Sequence, residues 1–158
     1  MKKLIVMLML TLFSIGAYAQ TQQGQSSLGF SLGYNFNDIG NATIGLDYRY
    51  CVTDAFRLTP SLTYLVKDDG LSAWANAHYV FKLSEMFGFY PLAGLSLSFW
   101  KADLGHHTSA NETRFGANIG LGGEVYATDR VSVGVEAKYN IIKDLDAAAL
   151  AVRVGYNF

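Results

Sequence analysis

The sequence predicts an all-β protein, an eight-stranded antiparallel up-and-down transmembrane β-barrel formed by residues 20–158. Large apolar residues alternate with small or polar ones in eight segments, which is the side-chain period of a β-strand. Gly, Ser, Thr, Ala and Asn dominate the opposite face, where a solvated sheet would carry many Lys and Glu residues. Aromatic residues gather near the segment ends, as in the interfacial girdles of a membrane barrel.

The N-terminal stretch is typical of a signal peptide and is set apart from the fold as residues 1–19. Two lysines follow the first methionine, and the apolar run "LIVMLMLTLFSIG" comes next. The sequence "AYA" then places small residues at Ala17 and Ala19, so we expect cleavage between Ala19 and Gln20. The chain is therefore predicted to be exported by a bacterium.

The eight predicted strands share an apolar face with large residues at every second position. The first four are "SLGFSLGYNF" (27–36), "TIGLDYRYCV" (43–52), "FRLTPSLTYLV" (56–66) and "AWANAHYVFKL" (73–83). The last four are "FGFYPLAGLSLSFW" (87–100), "FGANIGLGGEVY" (115–126), "VSVGVEAKYNI" (131–141) and "ALAVRVGYNF" (149–158). The fourth strand is the least regular, because alanines occupy much of its apolar face. No stretch after residue 19 has helical periodicity.

The connections between the strands alternate in length. Those around 53–55, 84–86 and 127–130 are tight, whereas those at 37–41, 67–71, 101–114 and 143–147 are polar and mostly longer. This alternation is typical of a barrel with short periplasmic turns and longer external loops. We therefore expect both termini in the periplasm.

The backbone chemistry of a membrane interior requires the sheet to close. Strands of about ten residues, tilted by about 45°, match the thickness of the hydrocarbon core. Inside lipid every N–H and C=O needs an internal partner, so an open sheet edge is not allowed. The last strand must therefore pair with the first.

The final residues "AVRVGYNF" carry the most specific signal in the sequence. Phe158 follows the alternating apolar residues Val152, Val154 and Tyr156. On this motif and on the strand pattern, the chain resembles the small outer-membrane barrels of the OmpX and OmpA-barrel type, in the outer-membrane β-barrel domain family. The resemblance implies location in the outer membrane of a Gram-negative bacterium and recognition of the motif as an assembly signal by the barrel-assembly machinery. It also implies a monomer that contacts outer-membrane lipids and lipopolysaccharide.

Charged and ionisable residues on the small-residue face are predicted to point into the lumen. They are Asp47, Arg49, His78, Lys82, Glu124, Glu136, Lys138 and Arg153. An unpaired charge there would be costly, so we expect a mutually compensated network that fixes register and fills the lumen. Counting back from the last connection places Glu136 opposite Arg153. A proton or ion path through these residues is the alternative, although eight strands leave little room for continuous water.

Two adjacent histidines, His106 and His107, lie in the longest connection, which we interpret as a solvated surface loop. No third residue has the spacing of a metal ligand. The run His107-Thr108-Ser109 is similar to the His-x-Ser element of outer-membrane lipid A deacylases, in which a carboxylate completes a triad. Glu112 is too close in sequence to judge as that carboxylate, and Glu124 is expected near the other rim. The glycine-rich "GLGGE" (120–124) precedes no helix and so does not indicate a nucleotide site; its glycines make room for lumen side chains.

These observations predict a protein that is not an enzyme and that holds no cofactor or metal. The formal net charge of −1 gives no electrostatic support for a nucleic-acid partner. A structural, adhesive or surface-binding role, with a plugged polar lumen, fits the pattern. A narrow porin-like channel for small solutes or ions is the alternative, and a lipid A-modifying hydrolase is a third.

Overall fold

The computed structural model describes residues 21–36, 40–67, 69–103, 109–142 and 146–158, and of 100–103 and 109–112 the backbone alone. Within these ranges the chain forms nine antiparallel strand segments. They are β1 (Ser26–Phe36), β2 (Asn41–Cys51), β3 (Phe56–Leu65), β4 (Gly70–Tyr79), β5 (Phe81–Lys82), β6 (Phe87–Asp103), β7 (Ser109–Tyr126), β8 (Val131–Ile142) and β9 (Ala147–Asn157). The all-β prediction is therefore confirmed.

The segments close into a barrel with eight wall strands. Each strand pairs with its neighbours in sequence, and β1 also pairs with β9, from Ser27↔Asn157 to Phe36↔Ala148. The segments β4 and β5 form one wall strand, because both pair with β6 in the same register. No helix in the described ranges is long and apolar enough to cross a membrane.

A proline accounts for the short break between β4 and β5. The β4–β6 ladder ends at His78↔Leu92 and resumes at Phe81↔Phe89. The register places Pro91 opposite the break, and proline has no N–H to donate to a ladder. The wall therefore continues through the interruption without a change of face.

The two ends of the barrel are built differently. At the turn end, Thr53, Ser84 and Thr128 each accept a hydrogen bond at the hydroxyl from the backbone N–H three residues on, at 3.0, 3.1 and 3.0 Å. Hydroxyl side chains stabilise tight turns in this way. The opposite end, which we call the loop end, holds the strand ends at Phe36 and Asn41, Leu65 and Gly70, Asp103 and Ser109, and Ile142 and Ala147. Three similar turns thus join the wall strands at the turn end.

The outer face of the wall is apolar and accessible. Leu46, Leu95 and Val152 are 55%, 52% and 50% exposed, while their polar neighbours in sequence point into the lumen. Within the described strands, no outward-facing position whose side chain is described carries a charged residue. Exposed apolar surface of this extent is unsuited to water and matches a lipid-facing belt.

The strands β6 and β7 extend beyond the rest of the wall at the loop end. β4 last pairs with β6 at Leu71↔Phe99, and β8 last pairs with β7 at Gly116↔Ile142. Beyond these points β6 and β7 pair only with each other, as far as Asp103↔Ser109. We call residues 100–103 and 109–115 the β6–β7 ribbon. The prediction of a loop over 101–114 is therefore wrong for 101–103 and 109–114, because antiparallel pairing continues outside the barrel.

Two groups of predicted residues lie outside the described residues. They are the signal-peptide segment 1–19 with the proposed cleavage site at Ala17, Ala19 and Gln20, and the histidines His106 and His107.

Candidate functional site: a charge plug in the lumen

The lumen side chains of the turn-end half form one connected ionic network, which we call the charge plug. Its members are Asp47, Arg49, Arg57, His78, Tyr90, Glu124, Tyr126, Glu136 and Arg153. They reach the lumen from seven wall strands, because the two-residue period of each strand aims alternate side chains inward. All nine are buried, so the network crosses the barrel interior.

Arg49 lies at the centre of the charge plug. Its Nη1 donates to Glu124 Oε2 at 2.8 Å and its Nη2 to Glu136 Oε1 at 2.5 Å. Its Nε lies 3.4 Å from Asp47 Oδ2. One guanidinium therefore faces three carboxylates from three strands, and this compensation offsets the cost of burying all four charges.

Arg57 forms the second ionic contact to Glu124. Its Nη1 donates to Glu124 Oε1, the oxygen that also accepts from Tyr126 OH at 2.6 Å. Its Nε donates to His78 Nδ1 at 3.1 Å. Because Nδ1 accepts this hydrogen bond, the His78 imidazole is neutral and carries its proton on Nε2.

Arg153 and Asp47 form the third ionic pair. Arg153 Nε donates to both Asp47 carboxylate oxygens, at 2.8 and 2.9 Å, and Nη2 lies 2.8 Å from Oδ2. Nη2 and Nη1 also reach Ser27 Oγ and Ser132 Oγ at 3.2 and 3.4 Å. Contacts of this pair therefore connect β2 and β9 with β1 and β8 across the lumen.

Tyr90 is the aromatic centre of the plug and is fully buried. Its hydroxyl donates to Glu136 Oε1 at 2.8 Å, and its ring stacks on His78 with centroids 4.8 Å apart. The Arg57 guanidinium carbon lies 4.4 Å from the ring centroid, a cation–π distance. A Cβ at Gly122, the cross-strand neighbour of Tyr90, would collide with this ring, so glycine is required there.

The loop-end half of the lumen has a different composition. Asn118 Nδ2 donates to Asn76 Oδ1 at 2.9 Å, and the hydroxyls of Ser72 and Ser98 lie 2.9 Å apart. We call these residues, with Ser96 and Asn140, the amide–hydroxyl layer. Lys138 lies between this layer and the charge plug, with Nζ 3.5 Å from Glu136 Oε2 and 5.7 Å from the Trp74 ring centroid.

The structure corrects one expected lumen position and one expected pairing. Lys82 is exposed at the end of β5 and makes no ion pair with the buried network in the described part of the chain. Its strand parity points inward, but the barrel wall ends there. Arg153 pairs with Gly134 in the β8–β9 ladder and Glu136 with Ala151, so Glu136 bonds to Arg49 and not to Arg153. The remaining predicted lumen residues, Asp47, Arg49, His78, Glu124, Glu136, Lys138 and Arg153, point into the lumen.

Sequence reasoning missed three members of the plug, Arg57, Tyr90 and Tyr126. The signal for Arg57 was present, because it stands between the outward residues Phe56 and Leu58. Tyr90 and Tyr126 also stand at inward positions, opposite Gly122 and Ser132. The expected network was drawn from charged and ionisable residues of the small-residue face, so these two phenols were not counted in it.

Residues 21–25, the leader segment, cover the turn end of the lumen. Thr21 is buried and its hydroxyl donates to the Asp54 carbonyl at 3.0 Å, while Gln23 N donates to Asp54 Oδ1 at 2.9 Å. Gly24 N donates to the Cys51 carbonyl, and Cys51 N donates to the Gln25 carbonyl. Between this segment and the plug lies a cavity of only about 10 Å³.

The chemistry available in the plug is structural. Each of its three carboxylates accepts charge-assisted hydrogen bonds from guanidinium groups, two of them also from phenols, and all are buried. No group of three or more His, Cys, Asp or Glu residues in the described ranges is arranged to hold a metal ion. Each of these carboxylates is therefore engaged by neighbouring side chains within the lumen.

The four residues of the expected assembly signal lie on β9 or directly after it. Val152, Val154, Tyr156 and Phe158 all face outward and are exposed. Phe158 is held to the first strand, since its N–H donates to the Ser26 carbonyl at 3.0 Å and its carbonyl accepts from Ser26 N at 3.4 Å. These residues therefore form one lipid-facing row at the seam that closes the barrel.

Known proteins share both the sequence pattern and the fold. A family model described as the outer membrane protein beta-barrel domain matches residues 5–158. No curated protein matches the chain by sequence.

Solved structures of small outer-membrane barrels superpose on this chain. The N-terminal β-barrel domain of Pseudomonas aeruginosa OprF has a TM-score of 0.75 and 20% identity, over 86% of this chain and 98% of that one. Neisserial surface protein A has a TM-score of 0.62 and 17% identity, over 84% and 94%. The attachment invasion locus protein Ail of Yersinia pestis has a TM-score of 0.57 and 17% identity, over 87% and 100%.

Proposed function

The chain belongs to the outer membrane protein beta-barrel domain family, and from this premise we propose that it is a non-enzymatic surface-binding protein of the outer membrane. In this proposal the barrel with its charge plug is a rigid, closed support. The β6–β7 ribbon is the part that contacts components of the surroundings. The turn end and both termini face the periplasm.

The length of β6 and β7 carries the proposal. The two strands span 17 and 18 residues, whereas the other long wall segments span 10–12. The four extra pairs of the ribbon, from Trp100↔Glu112 to Asp103↔Ser109, correspond to about 13 Å of paired backbone. A strand pair that has lost its outer neighbours presents backbone N–H and C=O groups along both edges, which can pair with another chain.

A shortened ribbon tests this role. Replacing residues 101–111 by Asn-Gly would join Trp100 to Glu112 through a two-residue hairpin turn and leave the wall strands intact. Cells that express this variant should lose attachment to surfaces coated with heparin, an analogue of which is bound in a structure of the Ail barrel, relative to cells that express the full chain. A variant with residues 104–108 replaced by Gly and Ser keeps the ribbon strands and should retain attachment. Equal attachment by the shortened and full-length chains would contradict the proposal.

The charge plug supports a barrel that does not conduct. Two cavities along the lumen measure about 10 and 20 Å³, and residues of the buried Arg49 network line both. A cavity of this size holds about one water molecule, which is far from a continuous aqueous path. Refolded protein in a planar bilayer should therefore give no current steps, and reproducible conductance would favour the channel alternative.

The absence of an enzymatic role can be tested in cells. The carboxylates of the charge plug are hydrogen-bonded to other residues of the plug. We therefore expect lipid A to show the same acyl pattern in mass spectra of cells with and without the protein. A changed pattern would favour the hydrolase alternative.

The outward row Val152, Val154, Tyr156 and Phe158 is proposed as the signal that the barrel-assembly machinery reads. Deleting Phe158 should reduce the fraction of chain that reaches the outer membrane, measured by heat-dependent gel mobility of the membrane fraction. Phe158→Tyr is the matched control, because it keeps a terminal aromatic ring.

A further inference from the structure

A second cavity lies on the loop side of Arg49, between the charge plug and the amide–hydroxyl layer. Its volume is about 20 Å³, and Thr59, Thr63, Asn76, Lys138 and Arg153 are among the residues that line it. A space of this size accommodates a single particle comparable to a water molecule. The cavity is distinct from the ribbon and from the turn-end cavity beneath the leader segment.

The charges of the charge plug and the adjoining Lys138 do not balance. Arg49, Arg57, Arg153 and Lys138 contribute four positive charges, whereas Asp47, Glu124 and Glu136 contribute three negative ones. His78 contributes none, because its Nδ1 accepts from Arg57. One positive charge therefore lies without a matching carboxylate inside a wall surrounded by lipid, where an uncompensated ion is costly.

The contacts assign this excess charge to Lys138. Each of the three arginines makes a direct charge-assisted hydrogen bond to a carboxylate. Lys138 reaches only Glu136 Oε2, at 3.5 Å, while Oε1 of the same carboxylate already accepts from Arg49 and Tyr90. The Lys138 side chain is 16% exposed, so its ammonium group keeps limited access from the loop end.

Two donors without a hydrogen-bond partner belong to residues that line this cavity. Thr59 Oγ1 and Arg49 Nε are buried and make no hydrogen bond to any described residue. Both residues line the cavity, as do the hydroxyl residues Ser31, Ser61 and Thr63. Buried polar atoms in proteins are almost always hydrogen-bonded, so donors of this kind indicate an acceptor in the cavity.

We propose that this cavity binds one small monovalent anion, of the size of chloride, held by the Lys138 ammonium and the Thr59 hydroxyl. The anion supplies the negative charge that the lumen carboxylates lack. Polyatomic and multivalent anions are excluded by the cavity volume and by the carboxylates of Asp47 and Glu136, which belong to residues that also line it. The site is independent of whatever the ribbon contacts.

Bromide is the probe, because it replaces chloride and scatters anomalously at its absorption edge. Crystals of the wild-type protein grown in sodium bromide should show an anomalous peak within hydrogen-bonding distance of Lys138 Nζ and Thr59 Oγ1. The peak should be absent in Lys138→Met and diminished in Thr59→Val. Density for water without an anomalous signal in the wild-type crystals would overturn the proposal.

Unfolding in lipid vesicles supplies a second readout. Exchange of chloride for gluconate at constant ionic strength should raise the unfolding equilibrium constant of the wild type about tenfold if chloride was present at ten times its Kd. Lys138→Met should remove this dependence. Lys82→Met deletes the same charge at the exposed end of β5 and should retain it. Equal chloride dependence in Lys138→Met and wild type would overturn the proposal.

Discussion

The two halves of the lumen are enclosed by the same wall but filled by different chemistry. Towards the turn end, the charge plug joins three arginines and three carboxylates through charge-assisted hydrogen bonds around Tyr90. Towards the loop end, the amide–hydroxyl layer uses neutral pairs such as Asn118–Asn76 and Ser72–Ser98. Buried ions lose far more than neutral groups when a partner is removed. The turn-end half should therefore contribute more than the loop-end half to the free energy of unfolding.

The largest expected effect comes from the centre of the charge plug. Arg49→Met leaves Glu124, Glu136 and Asp47 facing one another without the shared guanidinium, so we expect a loss of about 3–5 kcal/mol in the free energy of unfolding. Urea titration of protein refolded into lipid vesicles measures it. Lys82→Met, which removes an exposed cation, should leave the midpoint unchanged. A loss smaller than that of Asn118→Ala in the loop-end half would contradict the proposed difference between the two halves.

A steric change in the same half should have an intermediate effect. Gly122→Ala places a Cβ against the Tyr90 ring and forces the ring or the β6–β7 ladder to shift, at a cost of about 1–3 kcal/mol. Gly123→Ala, on the lipid face of the next residue, is the matched control. If both variants unfold at the same urea concentration, Tyr90 is not held tightly by the plug.

The loop-end half should respond less. Asn118→Ala removes one neutral hydrogen bond to Asn76, and we expect a loss of about 1 kcal/mol. A double-mutant cycle with Asn76→Ala isolates the coupling of the pair. A coupling larger than that between Arg153 and Asp47 would reverse the proposed order of the two halves.

The smallest effect on stability is expected at the leader segment. Asp54→Ala removes the carboxylate that accepts from Gln23 N, an exposed contact, so the unfolding midpoint should hardly change. The buried Cys51 thiol beneath the segment should nevertheless react faster with a maleimide. Asp129→Ala, in another tight turn, is the control. Unchanged Cys51 labelling would show that the leader segment does not shield the turn-end cavity.

Strand parity was predictable because a two-residue period needs only the sequence. Residues such as Asp47, Arg49 and Glu136 were assigned to the lumen on this basis, and they lie there. The partner of each charge was not predictable to the same degree. The register of β8 and β9 differs by two residues from the one that pairs Glu136 with Arg153. A shift of two keeps every side chain on its face, so the alternating pattern cannot detect it.

Contacts across the lumen could not be predicted from the sequence for a related reason. Asp47 and Arg153 are not adjacent in any ladder, and they meet because the strands tilt and stagger around the barrel axis. Similarly, the alternating pattern indicated on which face of the strand Lys82 lies. It did not indicate where along the barrel axis the wall ends. The ribbon was missed because its residues have turn-like composition, while their pairing depends on the partner strand.

The seam between β1 and β9 has a consequence for how the barrel can form. It joins Ser27 to Asn157 and Phe36 to Ala148, contacts separated by more than a hundred residues. Bringing such distant segments together costs loop-closure entropy, and high contact order slows folding. Until the two segments meet, both carry unpaired backbone groups that hydrocarbon cannot solvate. Pairing of β1 with β9 is therefore expected to be the late, slow step of folding. Until it occurs, partly paired sheets should need protection from bulk lipid.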